Sequence, residues 1–365
     1  MHSRLTALRE ALAQAELDAI VITNPFNRRY LTGFEAEDHP PNESAGHVVV
    51  SQERAVLVVS PLEATRAREQ APDFETFDKL RPLAAGDAEI LKQIGAKRVG
   101  IESDAILHAD FVVLERELGE QAEFHDASDL VPNLRVFKSP DELALIERAI
   151  AITDQALEQV AADLRAGETE RELAGRLDAA MRAFGATGNA FATIVAAGPN
   201  SALPHHTPGE RRLQPGEPIV IDMGAEYNGY CADLTRTVWV GEPNELLRQI
   251  YPVVMRALDA AEEHLHAGLT GREADAIARQ VIEQAGYGDY FPHSLGHGVG
   301  VQIHERPGLS ARSEQPLEPA QVVTIEPGIY IPGQGGVRIE DVAIIEANDV
   351  RVPTRATKNH IDEEK

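Results

Sequence analysis

The stretch that most constrains the fold runs from Pro218 through Val240, where two β-rich runs flank Asn228-Gly229. That dipeptide suits a two-residue type I′ hairpin turn, because both of its positions tolerate φ > 0. Such a turn sets Tyr227 opposite Tyr230, Gly224 opposite Asp233 and Asp222 opposite Thr235. Side chains alternate faces along a strand, so Asp222, Gly224, Asp233 and Thr235 all project from one side. The two aspartates become diagonal cross-strand neighbours about 7–8 Å apart at the backbone. Carboxylates on the inner side of an apolar sheet repel one another and are costly to desolvate. A cation, an arginine or solvent must relieve them. The flanking Ile219, Val220, Ile221, Val238, Trp239 and Val240 argue against a solvated face.

A chain of 365 residues exceeds one typical core and implies two domains. The formal net charge of -25 argues against a nucleic-acid backbone or an anionic membrane as partner. The single cysteine, Cys231, excludes an intrachain disulfide and a Cys-rich zinc site, and fits a reducing compartment. The N-terminus carries no apolar run of signal-peptide length, and no segment is long enough to span a bilayer. A soluble, cytoplasmic protein is expected, without internal repeats.

Strand and helix patterns alternate from Leu5 onward, with strands expected at residues 17–23, 47–50, 55–59 and 98–101 and helices near 3–16, 62–70, 86–94 and 106–117. This describes an α/β domain over residues 1–137. Lys138-Ser-Pro-Asp-Glu142 opens the second domain, residues 138–365, with Ser139 as N-cap, Pro140 at the first helical position and two acids complementing the helix dipole. Helices to about 165 and 184 and a strand at 191–196 precede the hairpin. Two helices near 244–266 and 271–285 follow it, the second opened by a Thr270-Gly-Arg-Glu273 capping box. A glycine-rich, strand-like tail covers 290–347, and only Asp362-Glu-Glu-Lys365 reads as frayed.

Three further candidate ligands lie in that tail. His297 stands between glycines that allow close backbone approach; Glu326 and Glu340 each end or interrupt a β-branched run, where an unpaired carboxylate is expensive. Together with Asp222 and Asp233 they give four carboxylates and one imidazole. That set suits a pair of hard to borderline divalent ions such as Mn²⁺, Co²⁺ or Zn²⁺. Two such ions about 3.5–4 Å apart hold a bridging hydroxide, polarise a carbonyl and balance the four negative charges.

These residues in their local contexts resemble the five metal ligands of the pita-bread metallopeptidases, the M24 family of methionine aminopeptidase, aminopeptidase P and prolidase. The phrases Asp-Met-Gly-Ala, Tyr-Cys-Ala-Asp-Leu-Thr-Arg-Thr, Gly-His-Gly-Val-Gly, Glu-Pro-Gly-Ile-Tyr and Val-Arg-Ile-Glu-Asp carry the likeness across the C-terminal half. The leading α/β domain, with Arg29-Tyr-Leu-Thr-Gly-Phe34 and Phe137-Lys-Ser-Pro-Asp-Glu142, resembles the proline-specific branch and creatinase. Creatinase lacks the ligand set. The resemblance therefore implies a creatinase-like α/β N-terminal domain, an α+β pita-bread catalytic domain, and hydrolysis of the Xaa–Pro bond by a hydroxide bridging two divalent ions.

It further implies that His205, His304 and Glu326 act in catalysis and that His293, His304 and Arg338 meet the substrate or support the ligand shell. His206 is the alternative to His205. Small proline-containing peptides would be the partners, Mn²⁺ the first expectation for the metal, and a homodimer the assembly. The segment 35–45 is a candidate to reach a neighbour's site through Asp38 or His39, or else a plain surface loop. Another C–N hydrolase on the same scaffold, of the ectoine-hydrolase kind, and a non-catalytic peptide-binding module are the alternatives. The sequence does not separate dipeptidase from aminopeptidase P, nor identify the residue preferred before proline.

Overall fold

Asn228 and Gly229 take φ values of 47° and 84°, the left-handed pair that a type I′ turn requires. The computed structural model describes residues 2–36, 38, 43–80, 82–359 and 361. From the turn outward the expected register holds: Tyr227 opposes Tyr230, and Asp222 opposes Thr235 in the ladder between β9 (Ile219–Met223) and β12 (Leu234–Val238). Between those two pairings the ladder is interrupted at Gly224, where an added Cβ would lie 2.0 Å from Ala232 O. The hairpin therefore contributes to two sheets. Its tip, β10 (Ala225–Tyr227) and β11 (Tyr230–Cys231), pairs with β7 (Gly188–Asn189), and its base pairs with β8 (Ile194–Ala197).

The chain divides into Met1–Arg135 and Val136–Lys365, two residues before the expected 137/138 boundary. Arg135 ends α6 (Leu130–Arg135) and donates to Asn27 Oδ1 at 2.6 Å within the first unit. Lys138 already belongs to the second, its backbone N–H on Ala320 O and its Nζ on Glu305 Oε1. In the first unit a six-stranded mixed sheet has the order β4-β3-β2-β1-β5-β6. These strands are β1 (Ala19–Ile22), β2 (Gly46–Ser51), β3 (Ala55–Val59), β4 (Glu75–Asp78), β5 (Arg98–Ile101) and β6 (Glu123–Asp126). Helices α1 (His2–Gln14), α2 (Pro25–Thr32), α3 (Ala64–Gln70), α4 (Leu83–Ile94) and α5 (His108–Leu118) complete it with α6. The outer strands β4 and β6 escaped the sequence reading because Glu75-Thr-Phe-Asp78 and Glu123-Phe-His-Asp126 are polar edge strands, not apolar runs. Asp38 accepts from Arg28 Nη1 at 3.0 Å and from the Ala45 N–H, so its carboxylate is engaged inside this unit. His39 lies outside the described residues.

In the second unit, α7 (Pro140–Ala161) and α8 (Glu170–Ala183) pack on β8, β9 and β12 around Ile152, Leu173, Leu177, Val195 and Ile221. A second pair, α9 (Glu245–His264) and α10 (Gly271–Gln284), packs on a tail sheet around Leu247, Val254, Ala278, Val323 and Ala343. That sheet comprises β13 (Gly296–Gly298), β14 (Glu305–Leu309), β15 (Val322–Ile325), β18 (Asp341–Ile345) and β19 (Val350–Arg351). β16 (Gly328–Ile331) and β17 (Gly335–Arg338) form a separate hairpin.

Contrary to the expectation of no repeats, the two halves reuse one device. Thr169 and Thr270 each close a full capping box with the Glu three residues on, Glu172 and Glu273. Gly167 N–H bonds Leu213 O as Gly268 N–H bonds Leu317 O, and Arg171 N–H bonds Gly209 O as Arg272 N–H bonds Ser313 O. In the sequence the repeat shows only as the short match of Gly167-Glu-Thr-Glu-Arg-Glu172 to Gly268-Leu-Thr-Gly-Arg-Glu273; the backbone hydrogen bonds carry the rest. Among the described residues no helix is long and apolar enough to cross a membrane.

Candidate metal centre and cleft

The hairpin-base strand β12 meets the tail segment between β17 and β18 where the Glu340 N–H donates to Thr235 O at 3.0 Å. This junction brings the hairpin aspartates to the tail glutamates. Ligand-capable oxygens of Asp222, Asp233 and Glu340 lie within 4.8 Å of one another. His297 Nε2 stands 3.6 Å from Asp233 Oδ2 and 3.5 Å from Glu326 Oε1, so all five predicted ligands converge. Thr324 helps set the last two: its Oγ1 accepts from the His297 N–H and donates to Glu326 Oε1. His297 Nδ1 donates to Gly298 O at 3.0 Å, which leaves Nε2 as the bare, lone-pair nitrogen facing the acids.

The electrostatics are those of crowded acids out of water. Burial, then repulsion from Asp222 and Glu326, drives Asp233 well above the usual carboxylate range. Burial and the neighbouring Asp233 and Glu326 do the same to Glu340. Burial pushes Glu326 up to about 8. Asp222 is raised as well, though Arg338 beside it offsets part of the cost. Burial takes His297 down to about 4 and lowers His304, so both rings are neutral at neutral pH.

The donor set fits divalent ions. Asp222 Oδ1 is buried with no hydrogen-bond partner, the acids are oxygen-rich with one imidazole nitrogen, and a dication relieves each raised carboxylate.

Around this group lies a cleft of about 530 Å³ whose walls include His205, His206, His293, His304 and Arg338. The two adjacent histidines separate cleanly. His206 Nε2 pairs with Glu170 Oε2 at 2.9 Å, while His205 is exposed at the cleft and acts electrostatically on Asp222. The His304 ring meets the His297 ring edge-on at 4.4 Å.

Arg338 is 3% exposed and donates through Nε to Thr235 Oγ1, through Nη1 to the Tyr330 hydroxyl and through Nη2 to Asp222 Oδ2. Those contacts place it in the support of the ligand shell. Tyr330 in turn donates to His293 Nε2 at 2.9 Å, with His293 Nδ1 donating to Ser294 O. Burial lowers His293 to about 4, which keeps it a neutral acceptor. The chain Asp222–Arg338–Tyr330–His293 thus links the metal-side acids to the cleft wall. Tyr330, the last residue of Glu-Pro-Gly-Ile-Tyr330, is a site residue that the sequence does not single out. Its position four residues after Glu326, in a strand facing Arg338's own, was the available signal.

Residues 144–347 match the description Metallopeptidase family M24, and residues 4–137 match the Creatinase/Prolidase N-terminal domain. The chain belongs to metallopeptidase family M24. Among M24 relatives, the Xaa-Pro dipeptidase of Pyrococcus furiosus is 38% identical over 98% of this chain and 99% of its own. The structure of a Xaa-Pro dipeptidase from Bacillus anthracis superposes with a TM-score of 0.92 at 39% identity, covering 99% of both chains. An X-Pro aminopeptidase from Thermotoga maritima superposes at 0.84 and 33% identity, covering 94% of this chain and 97% of its own. The architecture is that of an M24 peptidase: a creatinase-type N-terminal domain and a pita-bread catalytic domain.

Proposed function

We propose that this M24 metallopeptidase hydrolyses the amide bond preceding proline in short peptides. The observation that carries the reading is the cluster of Asp222, Asp233 and Glu340, joined by His297 Nε2 beside Asp233 and Glu326, at a cleft walled by four further histidines. The two relatives named Xaa-Pro dipeptidase supply the substrate class.

Asp222, Asp233, His297, Glu326 and Glu340 would hold two divalent ions, Mn²⁺ first among those suited to an oxygen-rich set with one imidazole. When bound, such ions neutralise the carboxylates, act as Lewis acids and lower the pKa of a water. The side chains do the rest. Glu326 accepts the proton of the attacking water and returns it to the departing proline nitrogen. That nitrogen carries no hydrogen in the substrate, so a site that needs an amide N–H cannot grip it, whereas this one presents imidazoles. His205 and His304, at the cleft, donate to the carbonyl oxygen as it gains charge. Neutral His293, fixed by Tyr330, walls the ring. Arg338 holds Asp222 in orientation and leaves its Oδ1 for the ion. A homodimer in the cytoplasm accords with the family resemblance and with a lone buried thiol at Cys231.

The test is turnover of metal-stripped protein, with and without Mn²⁺ or Co²⁺, on paired Xaa-Pro and Xaa-Pro-Yaa peptides. Metal-restored cleavage of either supports the proposal, and cleavage confined to the dipeptide makes it a dipeptidase. Metal bound with neither peptide cut rejects it in favour of another C–N hydrolase.

A further inference from the structure

The segment 197–209 brings His205 to the cleft, yet beyond the last residue of β8 and a short 3₁₀ turn at Gly198–Ala202 it has no helix or strand. Its hydrogen bonds converge on one buried carboxylate. Glu170, the first residue of α8, is 0% exposed. Its Oε1 accepts from the Ala197 N–H and from Asn200 Nδ2, both at 2.9 Å. Its Oε2 accepts from His206 Nε2 at 2.9 Å and from the Gly209 N–H at 3.0 Å. All four donors bracket His205. A second tie, the Gly336 N–H onto Ser201 Oγ, fastens the same segment to the strand of Arg338. Burial pushes the Glu170 carboxyl up, but the four donors pull it below its ordinary value, so it is ionised in place.

The internal repeat shows what Glu170 is for. The position equivalent to Glu170 in the second half is Gly271, whose N–H bonds Gln315 O just as the Glu170 N–H bonds Arg211 O. The helix start therefore forms without a carboxylate at that place. The second half serves its own histidine segment from further along the helix. There Asp275 accepts from the Leu295 N–H, and Arg279, paired with Asp275, donates to Phe291 O and His293 O. Each half thus carries a helix-borne charge that holds a histidine-bearing segment.

We propose that Glu170 is a positioning residue that, through segment 197–209 and the turned-away ring of His206, sets His205 at the reacting carbonyl. This rests on the reading of His205 given under Proposed function.

The experiment compares parent, Glu170→Gln, Glu170→Asp, His205→Ala and the Glu170→Gln/His205→Ala double variant, all loaded with Mn²⁺. In Glu170→Gln an amide NH₂ faces donors that need an acceptor. Its kcat on an Xaa-Pro substrate should fall tenfold to a hundredfold with KM within about twofold and bound Mn²⁺ unchanged. Glu170→Asp should recover part of the loss, because the charge is retained. With His205 already removed, Glu170→Gln should cost less than threefold, since residues acting through one another are not additive. Hydrogen exchange should quicken at the Ala197 and Gly209 amides while α7 and β9 keep their protection.

Losses that multiply in the double variant, or an unchanged kcat with that protection lost, overturn the inference. If the parent cleaves no Xaa-Pro peptide, the functional reading fails by itself. The inference is then decided by the His205 ring resonance, which must shift or broaden in Glu170→Gln and is overturned if it does not.

Discussion

Glu340 and Asp341 are neighbours in sequence and both are buried, yet they live in opposite electrostatic worlds. Glu340 joins Asp222, Asp233 and Glu326 on one side of the strand, where Arg338 is the one arginine or lysine that the described residues bring into contact with these acids, at Asp222. Asp341 faces the other side, where Arg236 Nη2 stands 2.8 Å and Lys358 Nζ 2.5 Å from its carboxylate oxygens. Burial raises both acids. For Asp341 the Arg236 charge, a hydrogen bond with Glu262 and the Lys358 ammonium together more than reverse the effect, whereas Glu340 is driven well above its ordinary range. The fold can pair a buried acid with a cation one residue away, so the strain of the ligand side is a property of the site and not of the scaffold. The two faces are also coupled, because Arg236 Nη1 donates to Glu340 O.

The sharpest way to break this contrast is Asp233→Asn. Turnover should fall by more than about 10³-fold with loss of bound Mn²⁺, while the metal-free variant melts at a higher temperature than metal-free parent because one repelling charge is gone. Normal turnover would mean that these acids hold no catalytic ion. On the opposite face, Arg236→Met leaves Asp341 short of a partner and should cost about 3–5 kcal/mol in urea denaturation. A cost under about 1 kcal/mol would dissolve the distinction between the faces.

The pH dependence follows from Glu326. Its folded value of about 8 lies above its ordinary one, so between those values the folded state holds a proton that the unfolded chain has released. Metal-free protein should therefore lose stability as pH rises from about 5 to about 8, by up to about 1.4 kcal/mol per pH unit for this proton. Glu326→Gln should reduce that slope in thermal melts, leaving the share of the other raised acids, and Mn²⁺ should remove it. The smallest effect, about 1 kcal/mol, belongs to Thr169→Ala or Thr270→Ala, which remove equivalent caps remote from either face. Unequal losses would show that the two halves, alike in backbone, bear unequal load.

What was legible in the sequence is what short-range chemistry dictates. Asn228-Gly229 fixed the turn, the turn fixed the register, and the register placed Asp222 and Asp233 on one face. The Ser139-Pro140 helix start was equally local, although its boundary lay two residues from the observed division because residues 136–138 have no element of their own. The glycines around His297 and the β-branched runs at Glu326 and Glu340 offered them as candidates, the resemblance tied them into one set, and geometry gathers all three. Less visible were residues whose partners are distant in the chain. Tyr330 matters through His293, 37 residues away, and Glu170 through His206, 36 residues away. Arg236 acts on Asp341 across 105. A lone Glu at a helix start reads as a dipole complement, and nothing local says that it reaches a loop 27 to 39 residues onward. Between His205 and His206, the Pro204-His205 phrase favours His205, and the pairing of His206 with Glu170 accords with that choice.

The two-residue turn at Asn228-Gly229 also restricts how this hairpin can change in length. One residue added there would invert every side chain of the returning strand and carry Asp233 to the far side of the sheet. Two would keep the facing but displace it by about 7 Å, past reach of Asp222. Surface connections ordinarily absorb insertions freely; this one works as a gauge block, and its length is as much a part of the metal site as the carboxylates it spaces.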